Sequence, residues 1–581
     1  MNILSRKVKS AARIWKAEGW VGVKERAAQL QQERQTEKLY RRWIRKNEIS
    51  TVEDRRQIRQ RIAEFRHQPL ISVVMPVYNV EEKWLRRCIE SVLDQIYENW
   101  ELCIADDCSP SPHVRRVIEE YAIRDTRIKV VFRLENGHIS AASNSALALA
   151  DGEFCALLDH DDELAELALY HVAKEINDFL ATEMIYSDED MIDEKGRRYS
   201  PKFKPDWSRD LFYSLNLITH LSVYRTAVLR KIGGFRIGLE GSQDYDLALR
   251  VIEQIPENHI RHIPHILYHW RAISGSLALN SDEKPYAHER AREAIRSHLE
   301  RTGKRAQVTP TVYNLHRVRY DLPSPLPKVS LITLERESLA ATTNAVKILL
   351  AETDYQNVEV ALVCSAHTKE KFDSENVNRN VKTIVCEEAS EAEKYNCAVR
   401  QTDGEVLCFI NGNLRPASKD WLQELVGFAL QTEIGAAGAK ITNANRVVLH
   451  GGLVLDGDGS TRSAHHGLPD DDPGTMGRAQ VIGNFSATTI DCLATRRKVF
   501  LAAGGFDAEH LPNKLFDVDF CLKLREQNLR IVWTPYAELI KINGRKPLNL
   551  QKKATAVERD FFKRKWQSSI AADPFYRDLK V

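Results

Sequence analysis

The chain has 581 residues, is 43% hydrophobic and 28% charged, and carries a net charge of +2. That length calls for more than one domain, and the composition is that of an ordinary globular protein. The charge is uneven: residues 1–66 hold 18 Lys+Arg against 8 Asp+Glu, which leaves a mildly acidic body and excludes a nucleic-acid-binding one. Ten cysteines are scattered without a CxxC pair or Cys/His zinc spacing, so they read as small buried hydrophobes in a reducing compartment. No apolar run approaches the roughly 20 residues that span a bilayer, and the N-terminus lacks a signal-peptide core. The expectation is a cytoplasmic protein, with peripheral attachment to the inner membrane face through its arm.

In that basic arm, residues 1–66, Leu4, Val8, Ala11 and Trp15 recur at helical spacing among Arg6, Lys7, Lys9, Arg13 and Lys16. The pattern suits a helix lying on anionic lipid, and equally a helix packed on the protein's own surface or on a second subunit. From Leu70 strands and helices alternate. Strands are predicted at Ile71–Met75, Trp100–Ala105, Ile128–Phe132 and Phe154–Leu158, with helices over 82–95, 114–121 and 141–149 between them. Such alternation means a mostly parallel sheet. Neither GxGxxG nor GxxxxGK[ST] is present, so the dinucleotide and P-loop fingerprints are missing. Further strands are expected at 184–187, 220–224 and 263–271, a helix opening at Gly241–Asp246, and an amphipathic helix over 284–303. Residues 310–327 read as a linker stiffened by Pro323, Pro325 and Pro327.

The stretch that organises the chain is ADGEFCALLDHDDEL, residues 150–164. A buried strand runs straight into Asp159, His160, Asp161 and Asp162. Ligands of open α/β sheets sit outside the carboxyl ends of strands, where carboxylates can hold a hard divalent cation and through it a diphosphate. The competing reading is that Asp161 and Asp162 start the next helix at the positive end of its dipole.

ISVVMPVYN, the pair Asp106–Asp107, NSALALADGEFCALLDHDD and GGF–GSQDYDLALR stand in order between Leu70 and Arg271. Together they resemble a family 2 inverting glycosyltransferase of the GT-A fold. The resemblance implies sugar transfer from a nucleotide-diphosphate sugar, with inversion and a divalent cation, Mn²⁺ or Mg²⁺. It implies Asp159, Asp161 and His269 as metal ligands, and Asp244 as the catalytic base. The family's usual Glu before that aspartate is replaced here by Gln243. Pro76, Tyr78, Asp106, Asp107, Arg133 and Arg271 are implied for the nucleotide sugar, and Gln243 and Trp270 for the acceptor side. Asp246 is expected to orient its helix.

After the linker the pattern returns. KVSLITLE, YQNVEVALVCSAH, NCAVRQTDGEVLCFINGN, AAGGF and LFDVDFCLKLRE echo the first half in order, an internal duplication at a scale of roughly 250 residues. The copies differ where chemistry would sit. Asp106–Asp107 become Cys364–Ser365, Asp159 and Asp161 become Asn411 and Asn413, and YHW becomes a stretch ending at Asn543 without histidine, while Asp517 stands opposite Asp244. A site without anionic ligands holds a divalent cation poorly. The expectation is therefore α/β, two tandem GT-A domains behind a basic helical arm: residues 67–309 catalytic, 328–581 degenerate support. The function expected is transfer to a glycan, lipid-linked acceptor in bacterial surface polysaccharide such as O-antigen. The rivals are a bifunctional polymerase and a non-catalytic glycan-binding scaffold.

Overall fold

The computed structural model describes residues 37–48, 51–273, 285–375, 380–386, 389–542 and 548–576. The apolar repeat of the arm, Leu4 to Trp15, and the terminal Asn543 of the second copy lie outside them.

The first unit is a nine-stranded sheet: β1 (Ile71–Val77), β2 (Trp100–Asp106), β3 (Ile128–Phe132), β4 (Phe154–Leu157), β5 (Glu163–Leu164), β6 (Met184–Ile192), β7 (Arg198–Lys202), β8 (Ser222–Arg225) and β9 (Ile260–Arg271). Their order is β3-β2-β1-β4-β8-β6-β9-β5, with β7 on the side of β6. The half β3-β2-β1-β4 is parallel throughout. β8 then runs antiparallel to both of its neighbours, and β6 and β9 are again parallel. β1 is buried at every residue, as its unbroken apolar run requires of a strand covered on both faces. The helix Glu82–Leu93 buries Trp84, Leu85, Cys88, Ile89 and Val92, one stripe at helical spacing. The helix His138–Ala148 buries only small side chains and Leu147, so it lies close over the sheet beside the carboxyl end of β1. There the chain leaves β1 towards β2 on one side and pairs with β4 on the other, the switch point at which such sheets open a crevice.

The second unit repeats the plan in a ten-stranded sheet whose first strands, Val329–Leu334, Val358–Cys364, Val381–Val385 and Val406–Ile410, pair as β1 to β4 do. The duplication reaches individual hydrogen bonds. Ser72 Oγ donates to Glu101, and Ser330 Oγ to Glu359, each at 2.6 Å. The Tyr97 hydroxyl donates to Pro69 O, and that of Tyr355 to Pro327 O. Asn144 Nδ2 donates to Phe235 O, and Asn396 Nδ2 to Phe506 O.

The stiff linker expected over 310–327 is corrected in its first half. Ala306–Pro310 and His316–Tyr320 pair as an antiparallel hairpin. His316, Val318 and Tyr320 are buried in alternation, the period of a strand with one covered face. One continuous cluster of buried side chains runs from Val74 and Tyr186 through Leu211, Ile295, Val318 and Tyr320 to Leu425 and Val532, so the two units share a core. Asp210 lies in that seam, receiving Arg530 Nε at 2.8 Å and Asn484 Nδ2 at 2.7 Å from the second unit. The described part of the arm packs on the first unit. Tyr40, fully buried, donates its hydroxyl to Asp190 at 2.5 Å, and Trp43 meets Phe203 edge to face. Among the described residues no helix is long and apolar enough to cross a membrane.

Candidate active site

A cleft of about 800 Å³ opens over the carboxyl ends of β1 and β4. Pro76 and Tyr78 line it at the end of β1, and Asp107 follows β2. Asp107 is 1% exposed and accepts from Arg133 Nε at 2.7 Å and Gly137 N at 3.0 Å. Arg133 is itself held by Ser145 Oγ at 2.6 Å. It therefore aims Asp107 and does not line the cleft. A side chain at position 137 would strike Arg133 Nη2 at 2.5 Å, so the glycine lets the turn close on this pair. Asp106 points the other way, into the turn at Ser109 N, and its expected place against a nucleotide is corrected: successive strand residues face opposite sides.

The acidic turn after β4 is braced from behind. Asp162 accepts from the Tyr268 hydroxyl and from Arg271 N, each at 2.6 Å, and burial holds its carboxyl well above the usual range, with Asp161 and Asp159 adding to the effect. The Arg271 side chain is fully buried. Its Nε donates to Asp161 O at 2.8 Å, it pairs with Glu163, and it lies 4.3 Å over the Trp84 ring. Arg271 is therefore a clamp on the turn, and the expectation that it meets phosphate is corrected.

His269 is corrected too. Its Nδ1 lies 2.6 Å from Asp190, which also receives Tyr40 and Arg198. β9 alternates, so Trp270 and Tyr268 face the cleft and His269 faces the arm helix behind it. The cleft histidine that comes nearest to the Asp159 carboxylate from a neighbouring strand is His220, just before β8. Its ring stacks on Tyr268 at 4.4 Å, with Nε2 3.8 Å from Asp159 Oδ2 and Nδ1 3.3 Å from Glu189 Oε2. Burial would raise the Glu189 carboxyl, but Lys202, Lys204 and His220 overcome it and hold it well below its usual range. Glu189 thus lies on the Nδ1 side of the ring and Asp159 on its Nε2 side. Among the described residues, Asp159, Asp162 and His220 bring ligand atoms within 4.8 Å of one another. Asp161 lines the cleft beside this group, and His220 stands where His269 was expected. Two carboxylates and an imidazole fit Mn²⁺ or Mg²⁺ in donor chemistry.

Asp244 opens the helix Gln243–Ile252 and faces the same cleft. Asn216 Nδ2 donates to it at 2.8 Å. Burial raises its carboxyl, against the pull of His220. Gln243 lines the cleft, yet its Oε1 is taken by Gly241 N at 2.7 Å. Asp246 points inward to Arg236 and Arg250 and fixes the helix. Tyr286, His288, Asn314 and His316 form the far lip. His220, Glu189 and Asn216 belong to no motif, and no sequence signal marks them.

The model of the family described as "Glycosyl transferase family 2" matches residues 72–233, the stretch that carries β1, the acidic turn and His220. The putative colanic acid biosynthesis glycosyl transferase WcaA of Escherichia coli is 33% identical over 200 residues, covering 33% of this chain and 69% of that protein. The chain belongs to glycosyl transferase family 2. It is also similar to the O-antigen biosynthesis protein RfbC of Myxococcus xanthus, at 34% identity over 484 residues, covering 82% of this chain and 38% of that one. To the uncharacterized protein y4gI of Sinorhizobium fredii it is 40% identical over 521 residues, covering 87% of this chain and 57% of that one. The chain thus spans 38% and 57% of the length of these two longer relatives.

Measured against this family 2 cleft, the second unit has exchanged its partners. The paired strands place Asn411 opposite Asp159 and Asp491 opposite His220. Asn411 Nδ2 donates to Asp491 Oδ1 at 2.8 Å. Asp491 also accepts from Asn549 N, Leu550 N and Thr489 Oγ1, which saturates it. Asn413 folds onto Asn411 Oδ1. Asp517 is fully enclosed, accepting from Ile490 N and Val518 N, and burial raises its carboxyl.

Proposed function

We propose that the first unit, about residues 67–309, transfers a sugar from a nucleoside-diphosphate sugar to a glycan acceptor with inversion, and that the second unit supports it. The observation that carries this reading is the convergence of Asp107, Asp159, His220 and Asp244 on one cleft. Asp107, aimed by Arg133, offers its carboxylate to the N–H groups of a nucleobase. Asp159, Asp162 and His220 would hold a divalent cation, which when bound neutralises charge on the departing diphosphate. Asp244 lies on the same cleft, within electrostatic reach of His220 and Asp159. Its raised carboxyl makes it a stronger base, suited to take the proton of the attacking hydroxyl. Tyr268 and Trp270 line the same cleft.

The names of the relatives, in O-antigen and colanic acid biosynthesis, support a bacterial surface polysaccharide as the product. The basic arm suits an acceptor carried on anionic lipid. The saturated Asp491 speaks against a second active centre. The test is nucleotide release from a panel of nucleotide sugars with Mn²⁺ or with EDTA, on wild type, Asp159→Asn, Asp244→Asn and Asp517→Asn. The expected result is metal-dependent release that the first two variants lose and the third keeps. Loss in Asp517→Asn alone would move the active centre to the second unit.

A further inference from the structure

The second unit has a cleft of its own, of about 730 Å³, at the carboxyl ends of the strands that correspond to β1 and β4. Arg336 reaches into it two residues after the strand Val329–Leu334, where the first unit has Tyr78. Its stem crosses the turn that replaced the acidic one: Cγ lies 3.2 Å from where a Cβ on Gly412 would stand. The glycine occupies the place of His160 and makes the crossing possible. The Arg336 side chain is 7% exposed, its Nε has no hydrogen-bond partner, and Nη2 is 3.4 Å from Glu337. Beside it, Asn413 is 4% exposed with its Oδ1 unpartnered. Buried donors and acceptors are satisfied as a rule, and these two side chains, both on the wall of one cavity, fit a ligand that accepts from one and donates to the other.

The charge at this spot has changed sign. In the first unit carboxylates wait for a cation; in the second the carboxylates are amides and a guanidinium lies across them. Lys394 adds a second cation on the wall, while Lys552 is already paired with Glu391. A guanidinium favours phosphate oxygens, and the Asn413 carbonyl oxygen favours a hydroxyl. The residues that would read a nucleobase are gone, with Ser365 in place of Asp107 and Cys386 in place of Arg133. We propose that the second unit's cleft is a metal-independent site for a sugar phosphate ester, in which Arg336 supplies the positive charge and Asn413 meets a sugar hydroxyl. The ester is free or part of a nucleotide sugar; the two share the phosphate and the hydroxyls.

The test is calorimetric titration of the full chain in EDTA with three probes: a hexose 1-phosphate, a nucleoside diphosphate hexose and inorganic phosphate. One saturable site is expected for at least one of the esters, with inorganic phosphate at least about tenfold weaker because it lacks the hydroxyl contact. Arg336→Gln should weaken binding at least about tenfold and Arg336→Lys less, while Asp159→Asn leaves it unchanged. A hexose 1-phosphate that binds as well as the nucleotide sugar assigns the free ester, and the reverse assigns the nucleotide sugar. Lys394→Gln, on the wall, serves if Arg336→Gln lowers the melting temperature too far to titrate. No ester binding in EDTA, binding indifferent to both cations, or binding lost in Asp159→Asn overturns the proposal. Failure of the first cleft in the release assay would leave this result untouched.

Discussion

The seam between the units gives a sharp quantitative test. Asp210 is 2% exposed, and its Oδ2 receives both Arg530 Nε and Asn484 Nδ2. Burial would raise this carboxyl, but Arg530 and then Asn484 outweigh it and hold it below its ordinary value. Arg530→Met removes the cation and leaves a carboxylate inside the shared core with one amide donor. Breaking one side of a buried pair costs about 3–5 kcal/mol, whereas replacing both sides with neutral groups is close to neutral. The single variant should therefore lose about 3–5 kcal/mol, and Asp210→Asn with Arg530→Met should recover most of it. The assay is urea unfolding followed by tryptophan fluorescence, with one transition expected because the core is continuous. In the single variant Asp210 becomes easier to protonate folded than unfolded, so the deficit should shrink as pH falls from about 8 towards 5. A loss below about 1 kcal/mol, a double variant no better than the single, or two separated transitions would refute the reasoning.

Three further outcomes follow from the site and the core. Asp244→Asn should keep the Asn216 contact and nucleotide affinity while kcat falls about 10²–10⁴-fold, and the acid limb of the wild-type pH–rate profile should lie above the ordinary carboxylate value, since burial raises Asp244. His220→Gln should raise the Mn²⁺ concentration needed for half activity at least about tenfold, whereas His269→Gln should leave it unchanged and lower only the melting temperature. An equal shift in both would return His269 to the metal set. His316, His450 and His465 are buried neutral, each pushed down to about 3 chiefly by burial. Their folded values lie below the unfolded one, so the stability they permit is present above about pH 6.5 and is lost as pH falls, by about 4 kcal/mol per pH unit for the three. Denaturant midpoints measured from pH 7.5 to 5 check the slope.

The duplication, the strand ends and the placement of Asp107, Asp159 and Asp244 were legible because each rides on a run of residues with its own period. Which histidine enters the cleft was not. The choice between His269 and its neighbours rests on the parity of β9, and that parity is set by its register on β6 and β5, a long-range property. His220 sits at the mouth of a short strand and is chosen by stacking on Tyr268, a contact between residues that no spacing joins. Arg271 looked like a phosphate ligand because arginine at a strand end usually faces solvent. Only the packing of Trp84 over it shows otherwise. The hairpin over 306–320 was hidden by Pro310 and its two arginines, although His316, Val318 and Tyr320 carry the two-residue period.

The exchange of partners in the second unit has a consequence for descent. Asp159 faces His220 in one copy, and Asn411 faces Asp491 in the other. To regain the older pair, two positions must change. Asn411→Asp alone sets two carboxylates against each other in place of the amide–carboxylate pair. Asp491→His alone strands the amides of Asn549 and Leu550 that the carboxylate now receives. Each one-step change therefore leaves polar groups without the partners they now have. The two copies thus differ by a pair of coupled residues, each of which fits only the partner it has.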